Sequence, residues 1–284
     1  VIHNRILILG ASGFIGNAFY KELLSYFDVF GTYCNQEGLY CDNQVFYKFD
    51  ADTDAISELL DDIQPRFIIS AFIASHSARL KVHQELVRYC EIRPESLLVF
   101  VSSYQVFDAQ QRFPSYEYDR PVAESIEGRQ TIAIEKVLLE QLPDQIMIIR
   151  LPIVLGINSP LLVQLRKAIK YTASFEVFPK MIISATTDNK IAQQLHYILN
   201  KELVGIFHLA STDMVHHDDL FKEITAKLGD QQPVFKKVFS SNEDVYQAIL
   251  PKEHMLPESY RITIAEVIEF CTLNEEIITF KNKL

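Results

Sequence analysis

The sequence predicts an α/β protein, a doubly wound parallel sheet with a smaller C-terminal α/β lobe. Three observations predict it. Short apolar runs alternate with helical patterns through the first half of the chain. The first of those runs ends in a glycine-rich turn that opens a helix. The regular pace is lost after Gly156, with no Gly/Ser linker to set off an independent bead. Strand, helix, strand at this pace means βαβ crossovers and a parallel sheet covered on both faces.

Each element follows from its local pattern. Arg5–Leu9 (RILIL) is a continuous apolar run stopped by glycine, hence a buried strand. A helix over about Ile15–Ser25 puts Phe19, Leu23 and Leu24 on one face. Val29–Tyr33 and Val45–Phe49 read as the next strands, and Ala55–Ile63 as an amphipathic helix ending before Pro65. Phe67–Phe72 is a fourth strand, Leu80–Cys90 a helix and Leu97–Val101 a fifth strand. A loop rich in aromatics, Asp and Pro runs from Tyr104 to Ala123; a helix follows over about Ile126–Gln141, then a sixth strand at Ile146–Leu151. Beyond Gly156 the patterns give helices at Pro160–Tyr171, Asn189–Leu199 and Asp218–Leu228. Short strands fall within Phe175–Ser184, and one more at Gly205–Ala210. The core is thus expected over 1–156 plus about 190–211. The lobe takes about 157–189 and 212–284, and is expected to wall a cleft at the carboxyl ends of the strands.

The chain has 284 residues, 48% hydrophobic and 23% charged, which excludes disordered, collagen-like and disulfide-scaffold classes. Its net charge of −10 argues against a nucleic-acid binder but leaves phosphate ligands open, since backbone amides bind those without net basic charge. Apolar stretches such as 97–101 are too short to span a membrane, and VIHNRILILG reads as a strand, not a signal peptide. Four cysteines (34, 41, 90 and 271) form no C-x-x-C pair, so they read as thiols of a reducing cytoplasm and not as a metal site. His216-His217-Asp218-Asp219 reads as a loop and helix start, because adjacent histidines point different ways.

The segment GASGFIG carries the chemistry. Gly10 allows the tight turn off the strand, Gly13 lets backbone approach a pyrophosphate, and Gly16 lets the helix pack. Ser12, Phe14 and Ile15 complete the loop and the helix start, whose free N–H groups face the phosphates.

The Gly-x-x-Gly-x-x-Gly spacing resembles the extended short-chain dehydrogenase/reductase family, which has a Rossmann-type sheet and binds NAD or NADP. The second strand ends Tyr33-Cys34-Asn35, with no acid for an adenosine ribose diol and no Arg for a 2′-phosphate. The choice between the two cofactors stays open, tilted towards NADP by the missing acid. The resemblance implies that Asp50-Ala51, after the third strand, faces the adenine, and that Ala71-Phe72 passes beside the cofactor.

Within that family, SSYQVFD (102–108) looks like the STDYVFDG segment of dTDP-4-dehydrorhamnose reductases. DRPVAESIEGRQTIAIE (119–135) is similar to their D-x-P-x-P-x-N-x-Y-G-x-S-K-x-x-x-E segment, with Asp119, Pro121, Gly128 and Glu135 in register. Arg150 and GIFHLAS (205–211) match too. The family's carbonyl-polarising Ser/Thr carries over to Ser103. Its proton-donating Tyr becomes Glu127, and the Lys four residues on becomes Thr131. A Glu is normally ionised at pH 7 and acts as an acid only if strongly desolvated. The chain is also about ten residues shorter between Phe72 and Ser102 than the family pattern.

Two functions follow from the resemblance. One is a dinucleotide binder, with a nucleotide-sugar-like ligand, whose ketoreductase chemistry is impaired or altered. Such a chain serves as a sensor or regulatory subunit, alone, as a homodimer or with a partner protein. The family's regulatory β subunit of methionine adenosyltransferase has such a role. The other is an active reductase or epimerase of a nucleotide-linked 4-keto-6-deoxy sugar in polysaccharide biosynthesis. Ser103 has no His/Asp partner in register, which speaks against a hydrolase.

Overall fold

The structure is a computed structural model, and it describes residues 4–35, 37–40 and 43–281. They fall into two compact units. One runs up to Val106 and adds Ser125–Arg150 and Ala192–Phe207; the other takes Phe107–Glu124, Leu151–Ile191 and His208 onward.

In chain order the elements are β1 (Arg5–Leu9), α1 (Phe14–Leu23), β2 (Asp28–Tyr33), α2 (Glu37–Tyr40), β3 (Phe46–Lys48), α3 (Ile56–Ile63), β4 (Phe67–Ser70), α4 (His76–Glu91) and β5 (Leu97–Ser103). Then come α5 (Ile126–Gln141), β6 (Ile146–Leu151), β7 (Ile153–Leu155), α6 (Pro160–Tyr171), β8 (Ser174–Val177), β9 (Met181–Ile183), β10 (Ala185–Thr187) and α7 (Asp188–Asn200). The last are β11 (Gly205–His208), β12 (Val215–His216), α8 (His217–Leu228), β13 (Val234–Lys237), β14 (Val245–Gln247) and α9 (Ile264–Lys281).

The first unit is built on a seven-stranded sheet of order β11-β6-β5-β4-β1-β2-β3. β1 pairs in parallel with both β2 and β4. The chain order therefore reverses beside β1, and a crevice opens there at the carboxyl ends of the strands. β1 buries Ile6 to Leu9 completely, as a strand with helices on both sides must. Leu7, Leu9, Leu60, Leu86, Phe100 and Ile148 share one core.

Helix ends in this unit follow local chemistry. α3 stops at Gln64 in the left-handed region, just before Pro65. α5 begins where the Ser125 hydroxyl accepts from the Gly128 N–H at 3.0 Å. α4 starts one turn earlier than its apolar pattern indicates, because Ser75 caps it by accepting from the Ala78 N–H. β4 ends at Ser70, two residues earlier than the run FIISAF indicates, and the chain then turns to line the crevice.

The second unit holds small sheets: β10 beside β7, β12-β9-β14, and β13 beside β8. Its own core joins Leu155, Leu165, Phe175, Phe221, Val267 and Ile268. His217 is buried between Phe178 and Phe221, while its neighbour His216 reaches Asp244 at 3.6 Å. Asp218 is held by Lys222 at 2.6 Å. Among the described residues no group of three or more His, Cys, Asp or Glu could hold a metal, and no helix is long and apolar enough to cross a membrane.

Candidate dinucleotide site

The turn after β1 is shaped by three glycines with different constraints. Gly10 has φ +82°, and a Cβ there would lie 2.7 Å from the Ala71 carbonyl oxygen. A Cβ at Gly16 would collide with the Gly10 carbonyl, so the first helical turn closes onto the loop itself. Gly13 is the least crowded: its Cβ would meet only the Gly10 oxygen, at 3.3 Å. That freedom faces the crevice.

Thr32, on β2, holds this turn from the side. Its hydroxyl accepts from the Gly10 N–H at 2.9 Å, and its carbonyl accepts from the Ser12 N–H at 3.3 Å. The Gly13 N–H bonds back to the Gly10 carbonyl at 3.0 Å. The loop's amides are thus engaged within the protein. Gly13 is the N-cap of α1, and no side chain caps the helix. The amides of Phe14, Ile15 and Gly16 therefore form an uncapped helix N-terminus, a ready anion site.

A cavity of about 350 Å³ opens in front of this turn. Of the residues singled out by sequence, Gly10, Ser12, Gly13, Tyr33, Asp50, Ala51, Ala71 and Phe72 line it. Phe14, Ile15 and Gly16 do not line it and stand at the helix start instead. The lining also includes Cys34 and Ile73, which adjoin the expected residues Tyr33 and Phe72, together with Thr32, Phe49, Asp52 and Ala74, which no motif marks. Thr32 was signalled only by being a lone hydroxyl inside an apolar strand.

Beyond β3 the chain makes a tight acidic turn. Asp54 accepts from the Asp50 N–H at 2.8 Å, and Asp50 accepts from the Asp52 N–H at 3.0 Å. The Asp54 carboxyl is held below its usual range, first by that backbone N–H and then by the Thr53 hydroxyl. Asp52 accepts from the Ser75 hydroxyl. The Cys34 thiol is pushed up by burial first, then by the carboxylates of Asp50, Asp54 and Asp52, against the opposing pull of Lys48.

The candidate catalytic residues lie further along the same unit. Ser103 ends β5, where its hydroxyl donates to the Gln105 side chain at 3.4 Å and accepts the Gln105 N–H at 3.3 Å. Glu127, in the first turn of α5, takes a 2.7 Å contact from Arg79 of α4. Its side chain is 56% exposed, while that of Arg79 is 11% exposed. Thr131, one turn on, is buried. Below them Glu135 binds Arg150 through two contacts, at 3.1 and 2.7 Å, and accepts from the Ser102 hydroxyl at 2.5 Å.

His83 lies behind the cavity wall, its ring 5.8 Å from that of Phe72. A carbonyl can only accept, so the 2.6 Å contact to the Arg79 oxygen puts the proton on Nδ1, and Nε2 accepts from the Ser70 hydroxyl at 2.9 Å. Burial pulls this imidazole down to about 4.

Comparison with known proteins gives a consistent picture. A family model described as the RmlD substrate binding domain matches residues 4–261. No curated protein matches the sequence. Among solved structures, the dTDP-4-dehydrorhamnose reductase of Yersinia enterocolitica superposes with a TM-score of 0.76 at 16% identity, covering 94% of this chain and 98% of that one. The dTDP-4-dehydrorhamnose reductase of Bacillus anthracis, in complex with NADP, gives 0.76 at 17% identity, covering 97% and 99%. The dTDP-glucose 4,6-dehydratase of the same organism, in complex with NAD, gives 0.75 at 14% identity, covering 96% and 97%.

Proposed function

This chain belongs to the RmlD substrate binding domain family, and from that premise we propose that it binds NAD(H) or NADP(H) at the β1–α1 turn, together with a nucleotide-sugar-like ligand, without ordinary ketoreductase turnover. The uncapped amides of Phe14, Ile15 and Gly16 would hold the pyrophosphate, with Gly13 giving it close approach. When bound, the dinucleotide supplies or accepts hydride. The Ser103 hydroxyl, bonded to Gln105 of its own turn, is the group that would turn towards a carbonyl oxygen.

The observation that carries the reading is the ion pair of Arg79 with Glu127, above a buried Thr131. On this reading a surface Glu paired to a guanidinium replaces the tyrosine that would give its proton to the carbonyl oxygen as hydride arrives. Thr131 has no charge to steady either a proton donor or a ribose. General acid catalysis contributes about 10²–10⁴-fold, so its loss leaves hydride transfer slow even with cofactor in place.

The test pairs a cofactor titration with a turnover assay on dTDP-linked 4-keto-6-deoxy sugars. Saturable dinucleotide binding with negligible turnover is expected. Robust turnover by the wild type, unchanged in Glu127→Gln, would overturn the reading and favour an active reductase.

A further inference from the structure

We infer that the site discriminates against a 2′-phosphate and takes NAD(H) over NADP(H), through the carboxylates of Asp50 and Asp52 in the turn after β3. This rests on the dinucleotide reading above and deepens it. The end of β2 carries neither acid nor Arg at Cys34-Asn35, a pattern that by itself tilts towards NADP. The structure brings the charge in from the neighbouring strand. Among the described residues, Asp50 and Asp52 are the charged ones lining the cavity, and no Lys or Arg lines it. They face the same space as Tyr33 and Cys34 at the end of β2, where the adenosine ribose lies in a sheet of this winding.

Three features make this acidity hard to escape. The first is rigidity. The Asp50 carboxylate accepts from the Asp52 N–H, the Asp52 carboxylate from the Ser75 hydroxyl at the cap of α4, and Asp54 from the Asp50 N–H, so both lining acids are tethered in place. The second is that Asp54, just behind the lining, is held ionised by its own hydrogen bonds. The third is that Cys34 reports the local field: the same three carboxylates disfavour a negative charge on its sulfur, and Lys48 only partly opposes them. A phosphate monoester brings about −1.5 to −2 charge at pH 7 into that field, where a ribose 2′-hydroxyl brings none and can donate to a carboxylate. Like charges brought together in this way oppose binding.

Calorimetric titration of the folded wild-type chain with NAD+, NADP+, ADP-ribose and 2′-phospho-ADP-ribose tests this. NAD+ and ADP-ribose should bind about tenfold or more tightly than their 2′-phosphorylated counterparts. Raising salt should narrow the gap, since screening weakens repulsion at the cavity mouth. The double change Asp50→Asn with Asp52→Asn should raise NADP+ affinity and lower that for NAD+. If that variant does not fold, the salt series on the wild type decides alone. Equal or tighter binding of the phosphorylated ligands, or a gap that salt widens, overturns the inference and leaves the dinucleotide reading standing. Failure of all four ligands to bind overturns both.

Discussion

Arg79 of α4 meets Glu127 of α5 at 2.7 Å, with the cation sheltered and the carboxylate half in solvent. On the function proposed above, this pair stands in for the tyrosine that would protonate a substrate. Its energetic value is small because water screens the exposed partner, so Glu127→Gln should cost at most about 1 kcal/mol in urea unfolding. Its chemical consequence is larger. The double change Glu127→Tyr with Thr131→Lys should gain turnover on 4-keto sugars, about 10²–10⁴-fold over the wild type. No gain would mean that the cleft no longer presents a ketone to this face.

The three glycines of the turn should separate binding from folding. Gly13→Val should keep a near-native melting temperature yet abolish dinucleotide binding in calorimetry, because its Cβ meets only one atom at 3.3 Å and the branched methyls enter the crevice. Gly16→Ala should destabilise by about 1–3 kcal/mol, since its Cβ collides with the Gly10 carbonyl. Unchanged affinity in Gly13→Val would remove the pyrophosphate from this turn.

The Glu135–Arg150 pair is structural. Arg150 is 1% exposed and Glu135 3%, so neutralising the acid takes the counter-charge of this pair away from a buried cation. Glu135→Gln should cost about 3–5 kcal/mol, and Ser102→Ala about 1 kcal/mol. A loss below about 1 kcal/mol for Glu135→Gln, read from urea midpoints, would contradict this.

Acid should loosen the first unit through His83. Burial holds its imidazole at about 4, below the ordinary 6.5, so between these values the unfolded chain binds the extra proton. The stabilisation is complete above pH 6.5 and drains away as pH falls towards 4, on the order of 3 kcal/mol in all. Melting temperatures of the wild type and His83→Gln should therefore converge as pH drops through this window. A gap that stays constant from pH 7 to 4.5 would show that His83 does not titrate as a buried neutral group.

Much of the architecture is legible in the sequence wherever an element is long and its ends carry chemistry. β1, α5, β6 and α6 run as their patterns indicate, the two helices being capped by Ser125 and Ser159. The apolar pattern of α4 misses its first turn, His76-Ser77-Ala78-Arg79, which is mostly polar, though Ser75 signals the cap. That lost turn hid Arg79, and with it the partner of Glu127. The strands of the second unit are two to four residues long, too short for alternation to be visible. In the candidate site, the glycine motif exposed the turn, but Thr32 bonds the turn after the neighbouring strand and Asp52 the cap of α4, contacts that no linear pattern encodes.

The grip of Thr32 on Gly10 and Ser12 fixes how this protein can signal occupancy. A turn whose amides are already satisfied keeps its shape whether the crevice is empty or filled, so it offers a ligand a finished mould. Binding then costs little ordering of this segment, which favours affinity. A mould that does not move also carries no message. If the chain reports nucleotide status to a partner, the moving part must be sought at the other ends of the ligand, and the phosphate turn is the fixed point against which that movement is measured.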